Sequence, residues 1–243
     1  MRELRCSIII PAKDEGAGII STLIRISEAM DLNYEVAVIV DSKSDSTSKF
    51  VREFAKKHPN FKCFVNQEGH GPASAIKWGL LKTSGDVVVI TMADGSDDPK
   101  VIPDLVSLVE RGVAVAAASR YMSGGQQIGA PFLKGLLSRL AGKSLYHLRR
   151  IGTHDPTNSF KAYDRNFLNS VTIESKFGFE MALELVSKAK RLKYPVAELP
   201  TIWIERNFGK SKFKLLKWLP RYLHWYIYAL KFNFLNKDRY AKK

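Results

Sequence analysis

The segment Val87–Pro99, VVVITMADGSDDP, constrains the fold of this chain more than any other stretch. It opens with six consecutive apolar or β-branched residues, which predict a strand buried on both faces. Asp94, Asp97 and Asp98 follow within five positions. Buried strands of this kind belong to parallel sheets, which bind ligands at the carboxyl ends of their strands. The acids therefore indicate either a divalent-metal site for a phosphorylated substrate or a solvated turn that caps the next helix.

Strands and helices alternate on both sides of this segment, with short loops between them. The predicted strands are Leu4–Ile10, Glu35–Val40, Phe61–Val65, the segment from Val87, and Val113–Ala118. The predicted helices are Ile19–Met30, Thr47–Lys57, Ala73–Lys82 and Val101–Glu110. This alternation predicts an α/β fold, a Rossmann-like, mostly parallel sheet with helices on both faces. The 243 residues suit one such domain at 1–212, followed by C-terminal amphipathic helices at 213–243.

Three of the predicted strands end in acidic residues. Asp14 and Glu15 follow the first strand, Asp41 follows the second, and Asp94 follows the fourth. Because the carboxyl ends of parallel strands share one edge, we expect these acids to line one crevice. A nucleotide suits such an edge, since carboxylates bind ribose hydroxyls or base N–H groups while a metal bridges the phosphates. The sequence has no phosphate-binding G-x-x-x-x-G-K-[ST] and no G-x-G-x-x-G after the first strand, which argues against P-loop kinases and dinucleotide dehydrogenases.

The net charge of +14 is concentrated near the C-terminal end. Residues 206–243 hold eleven Lys and Arg against one acid, Asp238, whereas the rest of the chain is nearly neutral. We expect an anionic partner, either a membrane surface or nucleic acid. A basic binding protein without catalysis is therefore one candidate class. The strand-end acids argue against nucleic acid, because they would repel a polyanion that enters the crevice.

Two basic segments, Phe132–Arg149 and Phe213–Leu235, carry leucines and aromatic residues between their Lys and Arg. This pattern is typical of helices that lie in the headgroup layer of a membrane, although the first segment also fits a helix packed on the core. The second segment has more aromatic residues than one helix packed on the core needs, so we predict that it contacts a membrane. A membrane-protein partner is a further candidate for this segment. The sequence contains no uninterrupted apolar run of about 18 residues, so we predict no transmembrane helix. With no secretory signal and with Cys6 and Cys63 expected to be reduced, we predict a cytoplasmic protein bound peripherally to the inner membrane face.

Six separated segments also follow one another in a familiar order. They are Ser7–Glu15, Val40–Thr47, Met92–Asp94, Ser119–Tyr121, Asp155–Tyr163 and Arg206–Lys212. In this order they resemble segments of family 2 glycosyltransferases of the GT-A type, in particular the dolichyl- or polyprenyl-phosphate sugar synthases. The resemblance runs from about residue 7 to residue 212. It implies a GT-A fold and an inverting enzyme that moves a hexose from a GDP- or UDP-linked donor to a polyprenyl (dolichyl-type) phosphate.

The resemblance also implies roles for individual residues. Those expected to contact the nucleotide sugar are Pro11, Ala12, Asp14, Glu15, Asp41, Asp94 and Lys212. Those expected to hold Mg²⁺ or Mn²⁺ are Asp94, Ser96 and Asp97. The expected catalytic residues are Asp94, Arg120, Asp155 and Arg206, and the expected acceptor-phosphate contacts are Arg120, Arg206, Lys210 and Lys212. Met92 stands where the family has the first acid of its D-x-D motif, so Asp98 remains an alternative to Asp97 as the missing ligand.

The nature of the acceptor leaves two mechanisms open. The oxygen of a lipid phosphate is already anionic and needs no strong general base. A saccharide or protein hydroxyl needs a carboxylate to take its proton, and Asp155 is the candidate by its position in the motif. Asp155 also fits a turn cap before Pro156.

Overall fold

A seven-stranded sheet forms the centre of the structure, a computed structural model that describes residues 4–205 and 215–231. The strands are β1 (Cys6–Ala12), β2 (Tyr34–Val40), β3 (Phe61–Val65), β4 (Val87–Ile90), β5 (Val115–Ser119), β6 (Gln126–Ile128), β7 (Lys161–Asp164), β8 (Val196–Pro200) and β9 (Ile202–Ile204). The α-helices are α1 (Ile19–Ala29), α2 (Thr47–Ala55), α3 (Pro72–Lys82), α4 (Ile102–Glu110), α5 (Phe132–Arg149), α6 (Arg165–Ser170), α7 (Met181–Arg191) and α8 (Leu215–Leu230). Short 3₁₀ helices at Gly16–Gly18 and Pro99–Val101 precede α1 and α4.

The strands of the large sheet follow the order β3-β2-β1-β4-β7-β5-β8. β1 pairs in parallel with β2 and β4, β2 with β3, and β5 with β8. β7 lies between β4 and β5 and is antiparallel to both. The prediction of a mostly parallel α/β sheet is confirmed, and β7 is an addition that the alternation of strands and helices does not reveal.

Alternate residues of β1 enter two apolar clusters, one on each face of the sheet. Ile8 and Ile10 pack with residues of α1, α2 and α4. Ile9 points to the other face, in the cluster that contains residues of α3, α7 and α8. A Cβ added at Gly79 of α3 would lie 2.6 Å from Cγ2 of Ile9, so the absence of a side chain allows this helix to approach β1 closely. Helices therefore cover both faces, as predicted.

A second, two-stranded parallel sheet joins β6 to β9. The backbone N–H of Ile204, the last residue of β9, donates to the carbonyl oxygen of Ser96 at 3.1 Å. This hydrogen bond ties the end of β9 to the loop after β4, at the carboxyl edge of the large sheet.

The described part of the predicted tail is helix α8, which packs against α5 and α7. Its Trp225 and Ala229 are buried, and Tyr222, Tyr226 and Tyr228 pack against the same cluster. Trp225 thus packs between α8 and its neighbouring helices instead of facing outward, and the predicted membrane contact of this segment stays a prediction. Phe213, Phe232 and Phe234, and the predicted domain boundary at residue 212, lie outside the described residues.

Leucines and isoleucine, with one phenylalanine, are exposed on α5 and α8 instead. They are Phe132, Leu133, Leu136, Leu137, Leu140 and Leu148 on α5, and Leu219, Leu223 and Ile227 on α8. Leu145 of α5 is fully buried. The segment therefore packs on the core through Leu145 and leaves an apolar surface open in its first half, and its contact with a membrane stays a prediction. Across residues 4–205 and 215–231, no helix is both long enough and apolar enough to cross a bilayer.

Candidate active site

A cavity of about 580 Å³ opens at the carboxyl ends of β1, β2 and β4. Glu15, Asp41 and Asp94 line it, each from the end of a different strand. Arg120, which directly follows β5, lines the same cavity. Pro11, Ala12 and Ser96, which were also predicted, are further lining residues. The prediction that the strand-end acids meet in one crevice is confirmed for Glu15, Asp41 and Asp94.

Side chains at the start of α2 hold the loop that follows β1. The backbone N–H of Glu15 donates to Oγ1 of Thr47 at 3.0 Å, and that of Asp14 donates to the carboxylate of Asp45 at 3.1 Å. Asp45 also accepts from the N–H of Thr47 at 2.9 Å, so the two strand-end loops are joined. Asp14 has a φ of +52°, and its exposed side chain does not line the cavity. The structure therefore does not support the predicted contact between Asp14 and the nucleotide sugar.

Asp41 is fixed against the loop that precedes α3. Its carboxylate oxygens accept from the backbone N–H of Gly71 at 3.2 and 3.4 Å, and Nζ of Lys13 lies 3.6 Å from Oδ2. Gly71 has a φ of +90°, and an added Cβ would lie 2.7 Å from the carbonyl oxygen of Phe177. Only glycine tolerates both the positive φ and this close approach. Glycine at position 71 therefore allows the loop conformation in which the backbone N–H reaches Asp41.

The loop after β4 gives its acids different tasks. Asp94 lines the cavity, and its Oδ1 accepts from the N–H of Ser96 at 3.1 Å. Asp98 accepts from the N–H of Lys100 at 3.2 Å and lies 3.8 Å from a guanidinium nitrogen of Arg25. The two interpretations of the sequence thus apply to different residues: Asp94 faces the cavity, whereas Asp98 caps the 3₁₀ helix before α4.

Asp97, a predicted metal ligand, is buried and does not line the cavity. Its Oδ2 accepts from Oγ1 of Thr91 at 2.9 Å and from the N–H of Met92 at 3.0 Å. Burial raises the pKa of Asp97 to about 6, although these two hydrogen bonds act in the opposite direction. The structure therefore argues against Asp97 as a ligand and indicates that it fixes the turn after β4.

The wall of the cavity contains oxygen atoms that suit a divalent cation. The hydroxyl of Ser96 is buried beside Asp94 and has no hydrogen-bond partner among the described residues. Met92 offers only a thioether, a soft ligand that Mg²⁺ and Mn²⁺ do not prefer. Among residues 4–205 and 215–231, no three His, Cys, Asp or Glu side chains are grouped as a metal site. Asp94 and Ser96 thus fit a hard cation that takes further oxygen ligands from a diphosphate and water.

Arg120 and Asp155 form a buried, two-pronged ion pair. Nε of Arg120 donates to Oδ2 of Asp155 at 2.7 Å, and a terminal nitrogen donates to Oδ1 at 2.9 Å. The backbone N–H groups of Arg120 and Asn158 donate to the same carboxylate at 3.1 and 3.3 Å. Burial opposes the charge of Arg120, but the carboxylate outweighs it and raises the pKa of Arg120. Burial likewise opposes the charge of Asp155, but Arg120 holds its pKa below the usual value.

The surroundings of Asp155 argue against its use as a general base. Its side chain is fully buried and does not line the cavity. A carboxylate with a lowered pKa and four N–H donors is a weak proton acceptor. Nζ of Lys161 donates to the carbonyl oxygens of Asp155, at 3.0 Å, and of Asn158. Burial lowers the pKa of Lys161 to about 7, although Asp155 opposes the shift. These contacts make Asp155 a residue that positions Arg120.

The structure adds residues that the sequence did not single out for the site. Ser138 of α5 accepts from Arg120 at 3.5 Å and lies 2.6 Å from the hydroxyl of Thr157. The ring of Trp203 lies 5.9 Å from the guanidinium carbon of Arg120. Glu205 also lines the cavity. The position of Glu205 directly before the segment Arg206–Lys212 was the only feature of the sequence that could have indicated it. Ser138 lies in the segment Phe132–Arg149, whose residue pattern shows only that the helix is amphipathic.

Two helices form the outer wall of the cavity. Leu137, Ser138 and Ala141 line it from α5, and Trp218, Leu219 and Tyr222 line it from α8. Leu137 and Leu219 are also exposed, so the apolar wall continues onto the open surface of these helices. Arg206, Lys210 and Lys212 lie outside the described residues, and their roles remain predictions.

Residues 7–172 match the family model described as Glycosyl transferase family 2. The chain is 31% identical over 233 residues to the dolichol-phosphate mannosyltransferase of Pyrococcus furiosus, covering 91% of this chain and 64% of that protein. It is 29% identical over 217 residues to the polyprenol monophosphomannose synthase of Mycolicibacterium smegmatis, covering 86% of this chain and 80% of that protein. The chain thus spans less than two thirds of the length of the Pyrococcus relative.

Its fold is also similar to that of the glucosyl-3-phosphoglycerate synthase of Mycobacterium tuberculosis, solved with Mn²⁺, UDP and glucosyl-3-phosphoglycerate. The TM-score is 0.67 at 20% identity, over 93% of this chain and 79% of that one. This likeness concerns the fold.

Proposed function

The chain belongs to glycosyl transferase family 2 and has its GT-A fold, and from this premise we propose that it moves a hexose from a nucleotide sugar to a polyprenyl phosphate with inversion at the anomeric carbon. The observation that carries the proposal is the cavity that brings Glu15, Asp41 and Asp94 together with Arg120. The names of the two sequence relatives, both polyprenyl-type phosphate mannosyl enzymes, support the class of acceptor.

The carboxylates at the ends of β1 and β2 suit the nucleoside of a GDP- or UDP-linked sugar. Glu15 and Asp41 are acceptors for the N–H groups of a base or the hydroxyls of a ribose. Before a ligand arrives, the backbone N–H of Glu15 is held by donating to Oγ1 of Thr47, and the carboxylate of Asp41 is held by accepting from the N–H of Gly71. Pro11 and Ala12 provide the apolar part of the same wall.

The diphosphate would lie over Asp94 and Ser96, which would hold Mg²⁺ or Mn²⁺. Bound there, the cation would neutralise the charge of the departing nucleoside diphosphate. The bond between the anomeric carbon and the diphosphate oxygen breaks as the acceptor oxygen attacks from the opposite side of the sugar, which inverts the anomeric configuration.

Arg120 would hold the acceptor phosphate. Its side chain lines the cavity while Asp155 fixes its orientation from behind. A phosphate oxygen is already anionic, so the attack requires no general base. We include Arg206, Lys210 and Lys212 as further phosphate contacts because they belong to a basic segment directly after Glu205. No observation favours transfer to a neutral hydroxyl, since Asp155 is enclosed and paired.

The open apolar surface of α5 and α8 would rest on an anionic membrane. It adjoins the cavity through Leu137 and Leu219, and the exposed bases Arg139 and Lys143 lie on α5. Apolar residues with basic neighbours are typical of helices in the headgroup layer. We place this contact at the cytoplasmic face, consistent with two free cysteines. A membrane-protein partner would need the same surface.

A transfer assay with matched acceptors tests the proposal. The purified protein receives Mn²⁺, a labelled GDP- or UDP-sugar, and either polyprenyl phosphate or polyprenol of the same length. We expect label on the phosphate alone, with inverted anomeric configuration. Transfer to polyprenol, or none to the phosphate with any donor of the series, would contradict the proposal.

A variant of Arg120 tests the acceptor contact separately. Arg120→Lys keeps a charge beside Asp155 but loses the second terminal nitrogen of the guanidinium, which Asp155 does not engage and which would donate to the phosphate. We expect a rate at least about tenfold lower at a fixed acceptor concentration. Arg5→Lys is the control, because Arg5 pairs with Glu110 just before β1, at the opposite edge of the sheet.

A further inference from the structure

We propose that Glu205 supplies the second carboxylate of the metal site, so that Asp94, Ser96 and Glu205 together hold the divalent cation. This inference rests on the proposed function, because it concerns the cation that accompanies the nucleotide sugar. It would also replace a carboxylate that this chain lacks, since Met92 occupies the place of the first acid in the D-x-D motif.

The backbone holds Glu205 next to the loop that follows β4. Ile204 donates to the carbonyl oxygen of Ser96 at 3.1 Å, and Glu205 itself donates to the carbonyl oxygen of Ile128 at 2.9 Å. The backbone of Glu205 is thus held by the last residue of β6, and its neighbour Ile204 is held by Ser96. Its side chain lines the same cavity as Asp94 and Ser96.

Two oxygen atoms in this part of the wall lack hydrogen bonds. Oε2 of Glu205 and Oγ of Ser96 are both buried and have no partner among the described residues. Ser96 is only 3% exposed. Because buried polar atoms in native proteins nearly always have a partner, two such atoms lining one cavity indicate a ligand that supplies it. Carboxylate and hydroxyl oxygens are hard ligands of the kind that Mg²⁺ and Mn²⁺ prefer.

The other acids of the region already have different tasks. Oδ2 of Asp97 accepts from Thr91 and Met92, and although its buried Oδ1 has no partner among the described residues, Asp97 does not line the cavity; Asp98 caps the helix that follows. Asp94 uses Oδ1 for the N–H of Ser96, and no hydrogen bond of Oδ2 is found among the described residues. Two carboxylates and one hydroxyl give a site with fewer than three acids, in agreement with the described residues holding no larger acidic group.

Mn²⁺ binding, measured without turnover, tests the assignment. The full chain is titrated with Mn²⁺ in the presence of saturating GDP or UDP, and free Mn²⁺ is followed by electron paramagnetic resonance. We expect Glu205→Gln to weaken Mn²⁺ binding at least about tenfold, since loss of an outer-sphere partner already costs 10- to 100-fold. Asp98→Asn, a matched loss of one charge from the loop after β4, should leave the affinity unchanged, because Asp98 caps a helix and does not line the cavity. The double variant Met92→Asp/Glu205→Gln should regain affinity, because it restores the second carboxylate.

Three results would decide against Glu205. These are unchanged Mn²⁺ affinity in folded Glu205→Gln, a loss in Asp97→Asn that exceeds that in Glu205→Gln, and no recovery in the double variant. If Glu205→Gln does not fold, Ser96→Ala takes its place, and unchanged affinity there also overturns the assignment. Failure of the wild-type chain to bind either nucleotide would instead refute the proposed function, so the two failures are distinguishable.

Discussion

Replacing Asp155 by Asn separates two accounts of this residue. As a general base, Asp155 would be needed for chemistry while the fold tolerated its loss. As the partner of Arg120, it is needed first for stability. The structure supports the second account, because the carboxylate is fully buried and accepts both guanidinium donors at 2.7 and 2.9 Å. Asn keeps the shape but removes the charge, and it turns an amide N–H₂ toward a donor.

The magnitude follows from the charge that remains. Arg120 stays protonated in the variant, and removal of one partner from a buried ion pair costs about 3–5 kcal/mol. A domain of this kind has about 5–15 kcal/mol of stability, so the loss is a large fraction. We expect the melting temperature of Asp155→Asn to fall by on the order of 10 °C. Asp164→Asn is the control, because Asp164 caps α6 through the N–H of Phe167, and Asn caps a helix as well as Asp.

The pH dependence provides an independent check. The pKa of Asp155 lies below its usual value in the folded protein, because the charge and hydrogen bonds of Arg120 outweigh burial. Stability from such a group is complete above the unfolded-state pKa, about 3.9, and is lost as the pH falls through the folded-state value. The difference in unfolding free energy between wild type and Asp155→Asn should therefore be constant from pH 5 to 7 and narrow below about pH 4. A variant within about 1 kcal/mol of wild type that has lost transfer activity would refute this reasoning.

Three further perturbations follow from the structure. Burial lowers the pKa of Lys161 to about 7, below its unfolded-state value of about 10.5, so the free energy of unfolding should rise as the pH rises from 7 toward 10.5. Chemical denaturation should show the stability of the wild type increasing relative to that of Lys161→Met over this range. A constant difference between the two would contradict this expectation. Phe132→Ser/Leu133→Ser should lower flotation with anionic liposomes at least about tenfold, since burial of each exposed side chain in the membrane would stabilise binding by about 1.5–3 kcal/mol. Leu148→Ser, at a residue 67% exposed near the other end of α5, should leave flotation unchanged. Equal flotation of the wild type and the double variant would show that the contact lies elsewhere. Gly71→Ala should abolish stabilisation by nucleotide, because φ is +90° and the new Cβ would lie 2.7 Å from a backbone oxygen; unchanged nucleotide-induced stabilisation would show that this loop is not part of the site.

The sequence predicts the half of the sheet that is built from continuous apolar runs. β3 is found at the predicted Phe61–Val65, and the helices that separate β1 to β5 are all present. β7 was not predicted, because its four residues, Lys161–Asp164, include a buried lysine and show no apolar run. Its insertion between β4 and β5 depends on contacts between residues far apart in the chain, which periodicity does not report.

The same limit applies to side-chain environments. The pattern of α8 shows which residues share a face but not which face is buried, so the inward position of Trp225 was missed. Likewise, the spacing that marks Asp155 cannot tell a free carboxylate from one paired with Arg120. By contrast, the meeting of Glu15, Asp41 and Asp94 was predictable, because parallel strands place their carboxyl ends at one edge.

Calorimetric titration of the wild-type chain with GDP- and UDP-linked sugars, with and without Mn²⁺, tests the central claim most directly. If the three strand-end acids surround one donor, a single nucleotide class should bind at one site, more tightly with Mn²⁺. Asp41→Asn and Asp94→Asn should each weaken it, and only Asp94→Asn should remove the effect of Mn²⁺. Binding that survives both substitutions, or no binding of any nucleotide sugar, would contradict the account.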